Sequence, residues 1–265
     1  MSFRHPLLVR LLLVAAGVGY MHSAQAAQVW VDRPISLPRH DWAFDFGMGI
    51  GHLNAPGSPT GVGLNLEAAV GATRRFELGI RTGIRLGDDG RITKADEYGR
   101  LFDRQTFGTN YDHVANPEFR MRIALATGDI AELALEARAF IPIEDHSRFG
   151  GMFGVPLYFH LGHRVRLDTG GFFPVVFTDP KLWAISVPLD IWIQVTSSLW
   201  LGPMTGFRTT RWGDAERSDW SLGFGLGYQI THALDFKTML LMPGINHEEG
   251  ARNFGVGAGI QVRIE

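Results

Sequence analysis

The clearest pattern in this chain is an alternation of apolar and polar residues near its C-terminal end. From Phe254 to Ile264, the residues of one parity are aromatic or aliphatic, and those of the other are glycine, glutamine or arginine. A period of two places successive side chains on opposite faces of a β-strand. The segment therefore predicts one long strand with a single apolar face.

The same alternation recurs from Asp41 onward and predicts about 12 strands in all. Leu199 to Arg208 is the weakest of them. The connections alternate between short turns and longer loops, the longer ones including 87–117 and 209–218. A polar face rich in glycine is unusual for a strand that meets bulk water, but it suits a strand with lipid outside and a crowded polar interior. We therefore predict an all-β fold, a membrane-spanning antiparallel up-and-down barrel over residues 41–265.

Aromatic residues provide a second indication of this fold, because the predicted topology gathers them at two levels. Barrels in membranes carry such aromatic rims at both lipid–water interfaces. The expected inner rim consists of Trp42, Phe76, Phe159 and Tyr228. The expected outer rim consists of Phe119, Phe153, Phe173, Trp183, Phe207, Trp220 and Phe254.

On these features, residues 41–265 resemble bacterial outer-membrane β-barrels of the porin-like class. The resemblance implies a Gram-negative outer membrane location, contact with its lipid bilayer, and recognition by the outer-membrane assembly machinery. The chain departs from the class by ending on Ile264-Glu265 rather than on an aromatic residue. Pro156, Pro188 and Pro203 also fall inside predicted strands, where the missing N–H predicts local bulges.

The N-terminal part has a different composition. Residues 1–26 combine Arg4 and Arg10 with a short apolar run and an Ala-x-Ala end, which predicts a cleaved signal peptide. Residues 27–40 contain two prolines and predict an irregular periplasmic segment. The chain has no cysteine, which excludes disulfides and thiolate metal sites. Its net charge of −2 gives no indication of nucleic-acid binding.

The inward parity carries acids and bases in nearly equal number. They could line a polar channel, or they could pair with each other and fill the barrel. Turn register predicts that Arg122 faces Glu136 and that Tyr158 faces Asp168. The inward glycines indicate either an open lumen or large neighbours that need the space. The candidates for lumen and solute contact are Asp45, Glu67, Glu77, Arg81, Arg85, Arg120, Arg122, Glu136, Arg138, Tyr158, His160, Arg166, Asp168 and Asp190.

Catalytic motifs are absent from the sequence, which contains neither G-x-S-x-G nor H-E-x-x-H. His160 shares the inward parity with Asp190, but no spacing fixes their distance. We expect no enzyme activity, no cofactor and no metal site. The predicted function is a passive channel for small polar or ionic solutes, with the 87–117 loop controlling access. The alternatives are a non-conducting structural or surface-interaction barrel and, third, a lipid-modifying enzyme.

Overall fold

The computed structural model describes residues 29–52, 60–86, 114–143, 149–177, 182–212, 215–248 and 252–265. The predicted signal peptide and nearly all of the 87–117 loop lie outside these residues. The strands are β1 (Trp42–His52), β2 (Thr60–Gly71), β3 (Phe76–Leu86), β4 (Val114–Thr127), β5 (Ala131–Phe140), β6 (Gly150–Leu161), β7 (Val165–Val176), β8 (Leu182–Gln194), β9 (Leu199–Trp212), β10 (Ala215–Thr231), β11 (Leu234–Met242) and β12 (Phe254–Ile264).

Each strand pairs antiparallel with its neighbours in sequence, and β12 pairs with β1 to close the ring. The closing register runs from Trp42 opposite Ile264 to His52 opposite Phe254. A closed sheet has no free edge, so every strand can satisfy its backbone groups within the protein. The predicted twelve-stranded barrel is confirmed, as are the cross-strand pairs Arg122–Glu136 and Tyr158–Asp168.

The alternation in sequence corresponds to the two faces of the wall. In β1, Phe44 and Phe46 are exposed on the outside, whereas Ala43 between its exposed neighbours is buried inside. Aromatic residues of the predicted outer rim lie against one another across strands. Phe173 and Trp183 have ring centroids 5.9 Å apart, and those of Phe207 and Trp220 are 5.2 Å apart.

The three prolines do not produce the predicted bulges. At each of them the register is unchanged, but bridging pairs are missing from one of the two flanking ladders. The gap falls at Pro156 in the β5–β6 ladder, at Pro188 in β7–β8 and at Pro203 in β8–β9. A proline has no N–H to donate, so the backbone loses a bond on one side and keeps its spacing.

The prediction of a loop over residues 209–218 is also wrong. Strands β9 and β10 continue through most of it, and Trp212 pairs with Ala215 at the end of a long hairpin. Beyond the apolar band both faces of a hairpin meet polar surroundings. Backbone pairing therefore continues there without the alternation that would predict it.

Candidate functional site in the barrel lumen

Residues 29–37 lie inside the barrel, whereas the sequence predicts a periplasmic position for residues 27–40; Pro38, Arg39 and His40 are exposed. Val31 and Ile35 are each 1% exposed and Arg33 is 4% exposed. The segment is irregular, as expected, apart from one 3-10 turn over Trp30–Asp32. In the ranges described, no helix has both the length and the apolar character to cross a membrane. Burial in the lumen stabilises the apolar side chains of the segment. Arg33 can be buried with them because a carboxylate of the wall pairs with its charge.

The segment crosses the full width of the lumen. Trp30 packs between β8 and β9, whereas the Leu37 N–H donates to Glu77 of β3. Strands β3 and β9 lie six positions apart in a ring of twelve, so they form opposite walls. Glu77 follows the short 72–75 turn, and Trp200 follows the short 195–198 turn. The segment therefore spans the lumen at the mouth that the short turns surround.

Side chains of the wall hold the backbone of this segment from several directions. Carboxylates and an amide accept from its N–H groups, and two arginines donate to its carbonyls, so buried backbone groups are satisfied without joining the sheet. The bonds are Val31 N–H to Gln194 Oε1 (3.3 Å), Ile35 N–H to Glu132 Oε2 (3.0 Å), Leu37 N–H to Glu77 Oε2 (2.8 Å), Arg122 Nη1 to Ile35 O (2.8 Å), and Arg166 Nη1 to Trp30 O (3.2 Å) and Arg33 O (3.3 Å).

Trp30 occupies an aromatic pocket in the wall. Its ring stacks on Trp200 at 5.2 Å and meets Trp192 edge-on at 5.1 Å. Both wall tryptophans point inward and are buried. They fit because Gly225 and Gly227 of β10 face them: a Cβ on Gly227 would lie 2.1 Å from the Trp200 ring. These inward glycines make room for large neighbours, the second of the two predicted explanations.

Gly227→Ala is expected to destabilise the barrel by about 1–3 kcal/mol, because the added methyl collides with the Trp200 ring. The loss would appear as a lower midpoint of urea unfolding in lipid vesicles, followed by tryptophan fluorescence. Gly257→Ala is the matched control, since its Cβ would meet nothing closer than 3.6 Å. Equal midpoints for the two variants would contradict the packing described here.

Two buried ion pairs flank the segment. Arg33 donates from both Nη atoms to the Asp235 carboxylate of β11, with Nη2 at 3.1 Å from Oδ1. Arg166 binds Asp168 through Nε at 2.7 Å and Nη2 at 2.9 Å. Its guanidinium also lies over the Trp30 ring, 3.9 Å from the centroid. Arg33 thus connects the segment to one wall by charge, and Arg166 connects another wall to the segment by hydrogen bonding and a cation–π contact.

Strands β2 to β5 carry a continuous ladder of ion pairs, which we call the charge ladder. Four arginines alternate with four glutamates, and each arginine contacts two carboxylates. One of the two arrangements left open by the sequence was that inward acids and bases pair with each other, and those of the charge ladder do. The pairs are Arg81 with Glu67 (3.7 Å) and Glu118 (3.2 Å), Arg120 with Glu67 (3.0 Å) and Glu77 (2.9 Å), Arg122 with Glu77 (3.7 Å) and Glu136 (2.7 Å), and Arg138 with Glu118 (3.2 Å) and Glu136 (2.7 Å).

A polar cavity of about 150 Å³ remains between the segment and the wall. Residues 33–38 form one side of it, and residues of β1–β4, β6, β7, β11 and β12 form the other. Its volume has room for several water molecules. Charged and polar groups of the wall thus line a small space directly beside the segment.

Comparison with known proteins places this architecture. No family model matches the chain, and no curated protein sequence matches it. Solved structures do: the COG4313 outer membrane channel from Pseudomonas putida F1 has a TM-score of 0.63 at 10% identity, covering 92% of this chain and 100% of that one. The NanC porin follows with 0.58 at 8%, covering 83% and 100%. The KdgM porin has 0.55 at 8%, covering 84% and 99%. The chain shares the closed β-barrel fold of these outer-membrane channels and porins.

In this porin-like barrel the predicted lumen residues point inward, as the alternation requires. Asp45 accepts from Gln261 Nε2 at 2.6 Å, and Asp190 is fully buried. His160 Nε2 lies 2.8 Å from Glu132 Oε1, so an acid of the neighbouring strand is its partner. The side chain of Arg85 lies outside the described residues.

Sequence reasoning missed the residues that hold the segment. The sequence pattern gives them no partner because it predicts that residues 27–40 lie in the periplasm, outside the barrel. A signal was present, since Trp30, Val31 and Ile35 are apolar residues in a stretch expected to be in water. The missed residues of the segment and the wall are Trp30, Val31, Arg33, Ile35, Glu132, Gln194, Trp200 and Asp235.

Proposed function

We propose that this barrel is a passive channel of the bacterial outer membrane for small polar or ionic solutes, with residues 29–41 as its gate. The observation that carries the proposal is the path of the segment, which crosses the lumen from β8–β9 to β3. The segment closes the mouth while the sheet around it stays complete. The bilayer and the assembly machinery are its proposed partners, and no catalytic step is assigned to it.

The chemistry of the contacts supports a gate over a permanent filling. Among the described residues, the backbone bonds of 29–37 to other residues of the chain run to wall side chains, and none joins a strand backbone. Departure of the segment would leave the sheet intact. Departure would uncover the rings of Trp192 and Trp200. It would also expose charged or amide side chains, including Glu77, Arg166 and Asp235, which water solvates well. Such groups suit the lining of an aqueous passage.

The charge ladder favours a second candidate, a non-conducting structural barrel. Eight paired side chains on four adjacent strands fill one side of the lumen and stiffen the wall. A protein that serves only to present its loops outside the cell would need this filling but no passage.

Single-channel recording in planar bilayers separates the two candidates. Residues 29–37 are replaced by a Gly-Ser stretch of equal length, and the unaltered barrel is recorded under the same conditions. We expect brief, rare openings from the unaltered barrel and long-lived openings from the variant. A variant that migrates as a folded, heat-modifiable barrel but stays silent would favour the structural candidate. A second variant lacking residues 87–113 tests the predicted control by the long loop.

A further inference from the structure

The outward face of β4–β8 carries an apolar pocket of about 600 Å³. This is within the range of volumes typical of small-molecule sites. Phe153 and Phe173 of the outer aromatic rim border the pocket, so it opens within the lipid-facing band. Its other main lining residues are Leu135, Val155, Gly171 and Ile185.

Small residues among large ones create this depression. Ala137 lies opposite Phe153 on β6, which in turn lies opposite Phe173 on β7. Gly171 lies opposite Val155, and a Cβ added to Gly171 would have no atom within 4 Å. The surface of the wall is therefore recessed between the rings of Phe153 and Phe173, and a larger side chain at Gly171 would fill open space.

Pairing between strands is interrupted at the same place. The β5–β6 ladder lacks bridging pairs between Leu133–Leu157 and Glu136–Gly154. The β7–β8 ladder lacks them between Thr169–Leu189 and Phe172–Ser186, although its register does not shift. Gly170, opposite Pro156, has a φ of +152°, and a Cβ there would lie 2.5 Å from the Val155 carbonyl oxygen. Proline and a glycine that cannot be substituted thus interrupt the wall behind the pocket.

Phe172 separates the pocket from the lumen. Its ring covers Gly154 on the inner surface, where an added Cβ would lie 2.2 Å from it. It also borders the outer pocket. Inside, it belongs to an apolar cluster with Ile35 of the gate segment, Met152 and Tyr158. Apolar surface therefore lies on both sides of a wall that is one residue thick at this point.

We propose that this pocket binds an alkyl chain from the bilayer, and that Phe172 is the side chain that separates the bound chain from the lumen. The position within the lipid-facing band identifies the occupant, because alkyl chains are the molecules present there and the lining offers them almost only carbon. Binding packs methylenes between two aromatic rings, where they make more dispersion contacts than lipid packed against a convex wall. The proposal is independent of whether the channel conducts.

The test uses a fatty acid with a photoreactive diazirine on its chain, in vesicles that contain the folded full barrel. We expect labelling to concentrate on peptides from β5–β7, well above that on β10–β12. Gly171→Leu fills the pocket and is expected to lower this labelling about tenfold, because the leucine side chain takes the space and the dispersion contacts of the bound chain. Ala258→Leu, an outward change on β12, is the matched control and is expected to leave it unchanged. Uniform labelling, or insensitivity to Gly171→Leu, would overturn the site.

Phe172→Ala tests the second half of the proposal. With the ring removed, the bound chain should reach the inner surface, and Met152 should become labelled. Heat modifiability of each variant establishes that the barrel is folded. If Met152 stays unlabelled in a folded Phe172→Ala barrel, the assignment of Phe172 as the separating side chain is wrong.

Discussion

Arg33→Ala is expected to raise the ratio of open to closed channels about 100-fold, equivalent to about 3 kcal/mol. Asp235 is 1% exposed, and in the closed state that we propose it would lose its hydrogen-bonded partner. In the open state water can solvate the same carboxylate, so the substitution penalises only closure. This free-energy change lies at the low end for a broken buried ion pair because Lys237 also interacts electrostatically with Asp235. Single-channel open probability measures the change.

Arg39→Ala is the matched control for this experiment. Arg39 belongs to the same segment and carries the same charge, but its side chain is exposed, so open probability should stay the same. Arg33→Asp is expected to open the channel further, because two carboxylates then face each other. Combining it with Asp235→Arg restores opposite charges and should recover part of the closure. Equal open probabilities for Arg33→Ala and Arg39→Ala would show that this pair does not hold the gate.

Glu136→Ala is expected to lower the free energy of unfolding by about 3–5 kcal/mol, the usual cost of removing one member of a buried ion pair. Its carboxylate lies between Arg122 and Arg138 and is 2.7 Å from each guanidinium. Both arginines would lose their shortest acid contact while remaining buried. Urea unfolding of the refolded barrel in lipid vesicles measures the effect.

Arg217→Ala provides the comparison for the charge-ladder variant. Arg217 contacts Asp219 at 2.8 Å, but its side chain is 56% exposed. Exposed pairs contribute at most about 1 kcal/mol, so this variant should unfold nearly like the unaltered barrel. A comparable loss in both variants would mean that burial does not strengthen the charge ladder.

Much of the wall could be predicted from sequence because a membrane barrel imposes one rule on every strand. Lipid selects apolar residues on one parity, and the lumen selects polar ones on the other, so Phe76–Ile84 or Phe254–Ile264 is recognisable without neighbours. The alternation no longer predicts structure where lipid and lumen do not select the residues. Residues 209–218 extend past the lipid-facing band, and Pro156, Pro188 and Pro203 change hydrogen bonding without changing which side a residue faces.

The lumen could be predicted only in part, for a different reason. Parity states that Arg122, Glu136 and Arg166 point inward, and turn register even pairs Arg122 with Glu136. It cannot state what meets them at the centre. Glu77 and Arg166 also bind the backbone of residues 29–37, a segment with no period, so only its unexplained apolar residues indicated a buried position.

The gate segment is continuous with β1 through Pro38 to Asp41, where Gly71 N–H donates to Asp41 O and His40 N–H donates to Gly71 O. A released segment therefore remains tethered at the mouth that it closes. Its local concentration is then set by the length of the tether, which for short linkers is in the millimolar range. Reclosure is unimolecular, so its rate should not depend on how many barrels share the membrane. A soluble peptide copying residues 29–37 would have to reach a similar concentration before it could compete.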